Sequence, residues 1–276
     1  MRVKQLRNAT FRDAQAIDGL IAAMPPLLRD LHSWVNQADF HVALVDGDAV
    51  VGFGARAKHK SHPQRDLAAV HAIERADVEA LYDAVRGRKP LKVRLPADDY
   101  DGLTIVGARG FTERIRSATY RVPADEFGDA GAYRVEEVFS ATREVTDAFT
   151  IFYAGSHLWD PPAIYTRRFV RQTMLAGSQH IALVRDDDGV PIGVGAAHAN
   201  DDPSVAVDIA LVGPLDQSHP DADGITRSLL AHLAGFYRGE TLWFEVDTGD
   251  GTNVALARLV TPRATAEDEV VILTSD

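Results

Sequence analysis

One β-hairpin pattern occurs twice in the sequence: residues 41–55 read HVALVDGDAVVGFGA, and residues 180–196 read HIALVRDDDGVPIGVGA. In each copy a segment rich in strand-forming residues leads into Asp and Gly, which favour a tight turn, and a second such segment follows. Both copies begin with His-x-Ala-Leu-Val and end with Gly-x-Gly-Ala. Two copies of one supersecondary unit predict a chain built by internal duplication.

The segments around the two hairpins also correspond. A helical periodicity precedes each hairpin, and a strand, a helix, a strand, a short helix and a closing strand follow it. The predicted elements are 11–24, 67–73, 77–85, 91–95, 100–108 and 114–122 in the first half, and 166–175, 204–211, 225–237, 241–246, 253–260 and 268–274 in the second. The sequence therefore predicts an α/β protein of two tandem mixed-sheet domains, with helices on both faces of each sheet.

A segment of low periodicity, PADEFGDAGA at 123–132, separates the two halves. Its Pro, Gly and Ala content is typical of a linker. We expect one domain over residues 1–123 and a second over 133–276. The length of 276 residues suits two domains of ordinary size.

Composition limits the possible functions. Residues 1–130 carry 19 Lys and Arg against 18 Asp and Glu, whereas residues 131–276 carry 10 against 22. An acidic second half argues against a nucleic-acid partner there. The basic stretch at 56–65 is either a solvated hairpin tip or an anion patch. No apolar run is long enough to span a membrane, and the start lacks an apolar signal region, so we expect a cytoplasmic protein without a membrane partner.

The chain has no cysteine, which excludes disulfides, cysteine zinc sites and cysteine nucleophiles. The histidines show no metal-ligand spacing, and the DADG segment at 221–224 lacks the glutamate of a calcium loop, so we expect no metal. His41 and His180 begin the two equivalent strands, which favours structural roles for both.

This repeated order resembles the Gcn5-related N-acetyltransferase (GNAT) superfamily, in a tandem form similar to mycothiol synthase. The residues that carry the resemblance are the Gly-x-Gly-Ala hairpin ends, the strand–loop–helix unit after each hairpin, and Gly110–Phe111 before a closing strand. The resemblance implies that acetyl-CoA, as co-substrate, lies between two splayed strands. Its pyrophosphate would bind backbone N–H groups of a loop of pattern R/Q-x-x-G-x-G/A at a helix start.

In the second half that loop pattern falls on residues 221–226, which read DADGIT. Gly224 matches, whereas Asp221 and Thr226 replace the expected residues; Asp223 or Thr226 is the expected helix cap. The first half has only three residues, 74–76, in this loop and no glycine, so we expect a degenerate cofactor loop there. The resemblance assigns acetyl-CoA binding in the second half to Ile209, Leu211, Gly224, Ile225, Thr226, Arg227 and Asn253.

The family often has a tyrosine in the helix after the fifth strand, where it protonates the departing thiolate. Asn253 and Leu259 match that motif, but Val260 stands at the tyrosine position, and Val106 stands there in the first half. A valine cannot donate a proton, so another residue or water would have to be the general acid.

Two strand carboxylates are candidates for the general base that accepts a proton from the acceptor's ammonium group. In SVAVDIAL, residues 204–211, strict alternation places Val205, Val207, Ile209 and Leu211 on one face and Asp208 on the other. Glu245 is placed similarly on the next strand. The alternative is that both carboxylates only face solvent.

The segment YAGSHLWDPP, residues 153–162, has an unusual local composition. His157 and Trp159 could line the acceptor pocket, because the loop after the first helix shapes that pocket in the family. Alternatively, Trp159 fastens the end of a helix to the core.

The sequence thus predicts an enzyme that transfers acetyl from acetyl-CoA to a small-molecule amine, with the acidic surface favouring a cationic acceptor. A catalytically silent module of the same fold, which binds a ligand or a protein, is the alternative. A third hypothesis is another acyl-CoA, or a cofactor displaced by the loop after Pro214.

Overall fold

The computed structural model describes residues 2–6, 11–59, 61–128, 131–163, 166–199, 207–249 and 252–276. The chain divides into two compact units, one formed by Met1–Arg114 with Val270–Asp276 and the other by Ile115–Glu269. None of the helices in these ranges is long and apolar enough to cross a membrane.

The elements of the first unit follow the predicted order, with an additional edge strand at the start and an additional short helix before the hairpin. They are β1 (Arg2–Leu6), α1 (Phe11–Ala22), α2 (Pro26–Leu31), β2 (Phe40–Asp46), β3 (Ala49–Lys58), β4 (Asp66–Ala72), α3 (Val78–Val85), β5 (Leu91–Pro96) and α4 (Tyr100–Ala108). The strand order in the sheet of this unit is β1-β2-β3-β4-β5-β12, where β12 is Glu269–Thr274 at the end of the chain.

The second unit repeats this arrangement. Its elements are β6 (Thr112–Pro123), β7 (Val135–Glu137), α5 (Arg143–Gly155), α6 (Thr166–Phe169), β8 (Ser178–Arg185), β9 (Pro191–Ala199), β10 (Val207–Pro214), α7 (Ala222–Ala234), β11 (Thr241–Gly249) and α8 (Val254–Val260). Its strand order is β7-β8-β9-β10-β11-β6. A π-helical turn, Val170–Met174, follows α6 directly.

The closing strands are exchanged relative to the sequence order. β6 ends the first half of the chain, yet it pairs with β11 from Pro123↔Thr241 to Ile115↔Gly249. β12 ends the second half, yet it pairs with β5. The predicted ranges 1–123 and 133–276 follow the order along the chain, whereas each unit takes its last strand from the other half. Periodicity gives the position of a strand in the sequence but not its partner.

Helices pack on both faces of each sheet, as the fold class predicts. In the second unit, Ala182 and Val184 of β8 pack in one core cluster with α7, whereas Ile181 and Leu183 pack with α5 in another. The first unit divides in the same way, with α3 in one cluster and α1 in the other. Successive side chains of a buried strand point to opposite faces, so both faces are apolar.

Candidate functional site

The candidate site of the second unit lies where β10 and β11 separate. In the part of the chain that the structure describes, their parallel pairing joins only Val207 to Leu242 and Asp208 to Trp243. Beyond this point β10 continues along β9 to Pro214, and β11 continues along β6 to Gly249. The carboxyl ends of the two central strands are therefore splayed. In the described part of the first unit, β4 and β5 pair in parallel only at Asp66↔Leu91 and Leu67↔Lys92.

A β-bulge in β10 lies next to this separation. Asp208 pairs with His198, and Leu211 pairs with Ala196, so β10 has one residue more than β9 in this interval. Val207 and Ile209 pack in the α7 cluster, whereas Leu211 packs in the α5 cluster. The prediction that Leu211 shares a face with Val207 and Ile209 is therefore wrong, because the extra residue reverses the alternation. Val205 lies outside the described residues.

Asp208 is the more buried of the two candidate bases. Its Oδ1 is buried and has no hydrogen-bond partner among the described residues. Burial, with a further contribution from the negative charge of Glu245, raises the pKa of Asp208 to about 6. The Glu245 side chain is exposed and accepts a hydrogen bond from Ser117 Oγ at 2.8 Å. A carboxyl group whose pKa lies near neutrality is suited to accept a proton in a reaction at physiological pH.

The N-terminus of α7 is capped by a carboxylate of the chain itself. Asp221 is the N-cap residue: its Oδ1 accepts a hydrogen bond from Gly224 N at 3.2 Å, and its main-chain oxygen accepts one from Ile225 N at 3.1 Å. The expected caps, Asp223 and Thr226, are instead inside the helix, which begins at residue 222. Two backbone donors that the resemblance assigns to pyrophosphate are thus bonded to Asp221.

The other α7 residues differ in their access to a ligand. Ile225 and Thr226 are fully buried, and Thr226 Oγ1 donates to Ala222 O at 2.8 Å within the helix. Arg227 is exposed. Arg258, on α8, is paired with Asp223 at 3.2 Å. The predicted contacts of these residues with acetyl-CoA remain predictions, and for Ile225 and Thr226 only the backbone could provide them.

Asn253 joins α8 to the splayed strand. Its Oδ1 accepts a hydrogen bond from Leu256 N at 3.2 Å, which caps α8, and its Nδ2 donates to Val212 O at 2.5 Å. This amide therefore fixes the start of α8 against the part of β10 that has left β11. Val260, at the position of the family's tyrosine, is fully buried in the α7 cluster.

The solved structures that this chain resembles share this architecture. A GCN5-related N-acetyltransferase from Sphaerobacter thermophilus superposes with a TM-score of 0.59 at 12% identity, over 99% of this chain and 95% of that chain. A tandem GNAT protein from the clavulanic acid biosynthesis pathway superposes with a TM-score of 0.58 at 14% identity, over 99% of this chain and 98% of that chain.

A GCN5-related N-acetyltransferase from Kribbella flavida gives a TM-score of 0.52 at 18% identity, over 96% of this chain and 94% of that one. The chain has the tandem GNAT fold. No family model matches the sequence, and no curated protein matches it. The resemblance inferred from the repeated hairpin is confirmed at the level of the fold. A shared fold does not by itself determine a reaction, which has to be argued from the site.

In the first GNAT unit a cavity lies at the splayed strands. It has a volume of about 210 Å³, and its polar lining includes His71, Arg75 and Asp99. Arg75 pairs with Asp99 at 2.7 Å, and Asp99 caps α4 through Gly102 N. Burial and the charge of Arg75 lower the pKa of His71. The loop expected to be degenerate is a single 3₁₀ turn, Arg75–Asp77, directly before α3.

The two predicted acceptor residues follow the end of α5. His157 Nδ1 lies 2.8 Å from Tyr153 O, and the two rings are in contact with centroids 4.1 Å apart. Trp159 is half-buried, and the adjacent Asp160 is completely buried. This local packing is compatible with a structural role for the segment, and the role of His157 and Trp159 in acceptor binding stays a prediction.

Sequence reasoning missed His198, which lies directly opposite Asp208 on β9. Its Nε2 lies 2.6 Å from Met174 O and 2.9 Å from Ser178 Oγ, and its Nδ1 is buried without a partner in the described ranges. No motif marks this residue; only the strand register brings it to Asp208. Among the described residues, no group of three or more His, Asp or Glu could hold a metal ion.

Proposed function

We propose that the protein is an N-acetyltransferase, which moves an acetyl group from acetyl-CoA to the amine of a small cationic acceptor. Asp208 carries this proposal, because it is a half-buried carboxylate whose Oδ1 has no partner among the described residues and whose pKa is near 6, beside the gap between β10 and β11. The excess of acidic over basic residues in 131–276, 22 against 10, favours a positively charged acceptor.

In the proposed reaction Asp208 accepts one proton from the acceptor's ammonium group. The freed amine nitrogen attacks the thioester carbonyl, a C–N bond forms, and the C–S bond breaks to release a thiolate. The second amine proton passes to solvent, and water protonates the thiolate, since Val260 stands at the position of the family's tyrosine. Backbone N–H groups of β10 that face the gap would stabilise the oxyanion.

The pH dependence of turnover tests the role of Asp208. A general base acts in its ionised form, so we expect kcat/KM for the amine to fall as pH drops through about 6. Asp208→Asn should lower kcat at least about a hundredfold, a typical contribution of general acid–base catalysis. Thiol release from acetyl-CoA with a panel of primary amines measures both. Asp187→Asn, which changes an exposed carboxylate in the turn between β8 and β9, is the control. Full activity in Asp208→Asn would contradict the assignment.

A second candidate function is a catalytically silent module, and the Asp221 carboxylate is the observation that favours it. A carboxylate bonded to Gly224 N occupies the place of an anion and repels another. The silent module therefore predicts no acetyl-CoA binding.

Asp221→Gln separates the two functions, because it removes the negative charge and places glutamine at the first position of the loop pattern. If the enzyme hypothesis holds, we expect calorimetry to detect acetyl-CoA binding to the wild type and binding about tenfold tighter in Asp221→Gln, for about 1.4 kcal/mol of relieved repulsion. Asp216→Asn, in the loop before α7, is the matched control for a change of charge. Absence of heat in both Asp221 forms would favour the silent module.

A further inference from the structure

Two hydrogen-bond acceptors face each other across β9 and β10. His198 and Asp208 are directly opposed residues of the antiparallel pair, and the Cβ atoms of such residues lie about 4.5–5.5 Å apart on the same face of the sheet. His198 Nδ1 and Asp208 Oδ1 are both buried, and neither has a hydrogen-bond partner among the described residues. Buried polar atoms without a partner are uncommon and require an explanation.

The hydrogen bonds of His198 decide its tautomer. Its Nε2 lies 2.6 Å from the main-chain oxygen of Met174, which can only accept, so Nε2 carries the hydrogen. In the neutral ring Nδ1 therefore presents a lone pair. The π-helical turn Val170–Met174 ends at this oxygen, with Leu175 N bonded to Val170 O at 2.9 Å. Isolated π turns occur frequently at functional sites.

Charge indicates which kind of partner the two atoms could share. Ionised Asp208 Oδ1 and neutral His198 Nδ1 are both acceptors, so the missing partner is a donor with at least two hydrogens. Glu245 adds a second negative charge to the surroundings of Asp208, and an ion held there would be positive. A primary ammonium group supplies positive charge and several N–H donors.

We propose that His198 Nδ1 and Asp208 Oδ1 together bind the ammonium group of a primary amine, each accepting one of its hydrogens. This site, which we call the amine socket, rests on the proposed function for its role in turnover, but amine binding itself requires no acetyl-CoA. His198 is then a substrate-binding residue that orients the amine nitrogen beside its base. The socket takes primary amines and rejects quaternary ones, which have no N–H.

The imidazole nitrogen signals of ¹⁵N-labelled wild-type protein report on the socket directly. Titration with n-butylammonium should shift the His198 Nδ1 signal with saturation, whereas tetramethylammonium should leave it unchanged. His180, whose Nδ1 already contacts Glu137 at 2.7 Å, is the internal control and should not respond. No shift at His198, or equal shifts with both cations, would overturn the proposal.

Two substitutions of His198 form a matched pair. His198→Gln keeps an amide near the Nε2 position, where it can reach Met174 O, but it has no acceptor at the Nδ1 position. His198→Asn places its amide oxygen near Nδ1. We expect His198→Gln to weaken n-butylammonium binding at least about tenfold, as for a lost hydrogen bond to a charged group, and His198→Asn to weaken it only a few-fold. Equal affinities in wild type and both variants would contradict the socket.

The outcome for the socket is separable from the outcome for the enzyme. Acetyl transfer without a response of His198 to n-butylammonium would overturn the socket and leave the transferase intact. A response of His198 without acetyl transfer to any amine would support the socket and count against the transferase. In an active enzyme, His198→Gln should raise KM for the amine and leave KM for acetyl-CoA unchanged, which a general loss of folding would not do.

Discussion

At the scale of single residues, the site depends on what surrounds each carboxylate. The Asp208 Oδ1 is buried and has no partner in the part of the chain that the structure describes, and burial raises the pKa of this carboxyl, whereas Asp221 at the start of α7 is exposed and bonded to Gly224 N. The two have the same side chain, yet one is suited to take a proton and the other to cap a helix. Sequence identified Asp208 as a candidate but gave no information about its burial.

The buried charge of Asp208 should reduce the stability of the fold. Its pKa rises from 3.8 to about 6 on folding, so the unfolded carboxyl ionises first as pH increases. Between about pH 4 and 6 the wild type therefore loses stability relative to a neutral variant. We expect Asp208→Asn to increase the free energy of unfolding by about 1–3 kcal/mol at pH 7.5 and by little at pH 4.

Urea unfolding at pH 7.5 and pH 4 measures this change in the free energy of unfolding. Asp216→Asn is the control, because its expected change in the free energy of unfolding has the opposite sign. Hydrogen bonds from Ser218 to the Asp216 carboxylate lower its pKa, so that carboxylate stabilises the fold above its unfolded pKa and the benefit is lost as pH falls. Asp216→Asn should therefore be less stable than wild type at pH 7.5. An Asp208→Asn protein less stable than wild type at pH 7.5 would show that the carboxylate is satisfied in the fold.

At the scale of elements, the repeated Gly-x-Gly-Ala motif has a packing explanation. A Cβ atom added at Gly193 of β9 would lie 2.4 Å from Ile225 Cγ2, and one at Gly195 would lie 3.0 Å from Leu233 Cδ1, both on α7. In the first unit a Cβ at Gly54 would lie 2.5 Å from Val85 Cγ1 of α3. Glycine at these positions lets the helix approach the hairpin closely in each unit.

Gly193→Ala should consequently weaken the contact between α7 and β9. Ile225 is fully buried and has little room to move, so we expect a loss of about 1–3 kcal/mol in the free energy of unfolding. Gly107→Ala is the matched control: its Cβ would meet nothing within 4 Å on α4, and it should gain about 0.5–1 kcal/mol from helix propensity. Denaturant midpoints compare the two. Equal stability of Gly193→Ala and wild type would show that Ile225 can repack.

At the scale of the whole molecule, the exchanged closing strands define the folding units. Val271 and Leu273 of β12 are buried in the core cluster of the first unit, with Leu91 and Val93 of β5. Although β12 is last in the chain, it therefore completes the sheet that begins at the other terminus. Fragments cut at the linker 123–132 would each lack the strand that closes their sheet.

Deletion of residues 269–276 should selectively destabilise the first unit. Without β12, strand β5 loses its antiparallel partner from Pro96 to Lys92, and the apolar side chains of that cluster become exposed. We expect hydrogen exchange to accelerate most in β5, while β11, paired with β6, changes little. Faster exchange in β11 than in β5 would contradict this assignment of the strands.

The sequence by itself determined the duplication, the fold class and nearly all the elements, because hairpin turns and periodicity are local properties of the chain. It gave no range for the helices α2 and α5, and it missed the edge strands β1 and β7, which are short and charged and are stabilised by pairing with β2 and β8. Only the tertiary structure decided which strand closes each sheet and where β10 bulges so that Leu211 lies on the other face. It alone also placed His198 opposite Asp208. These depend on the pairing and register of strands, which no local pattern encodes.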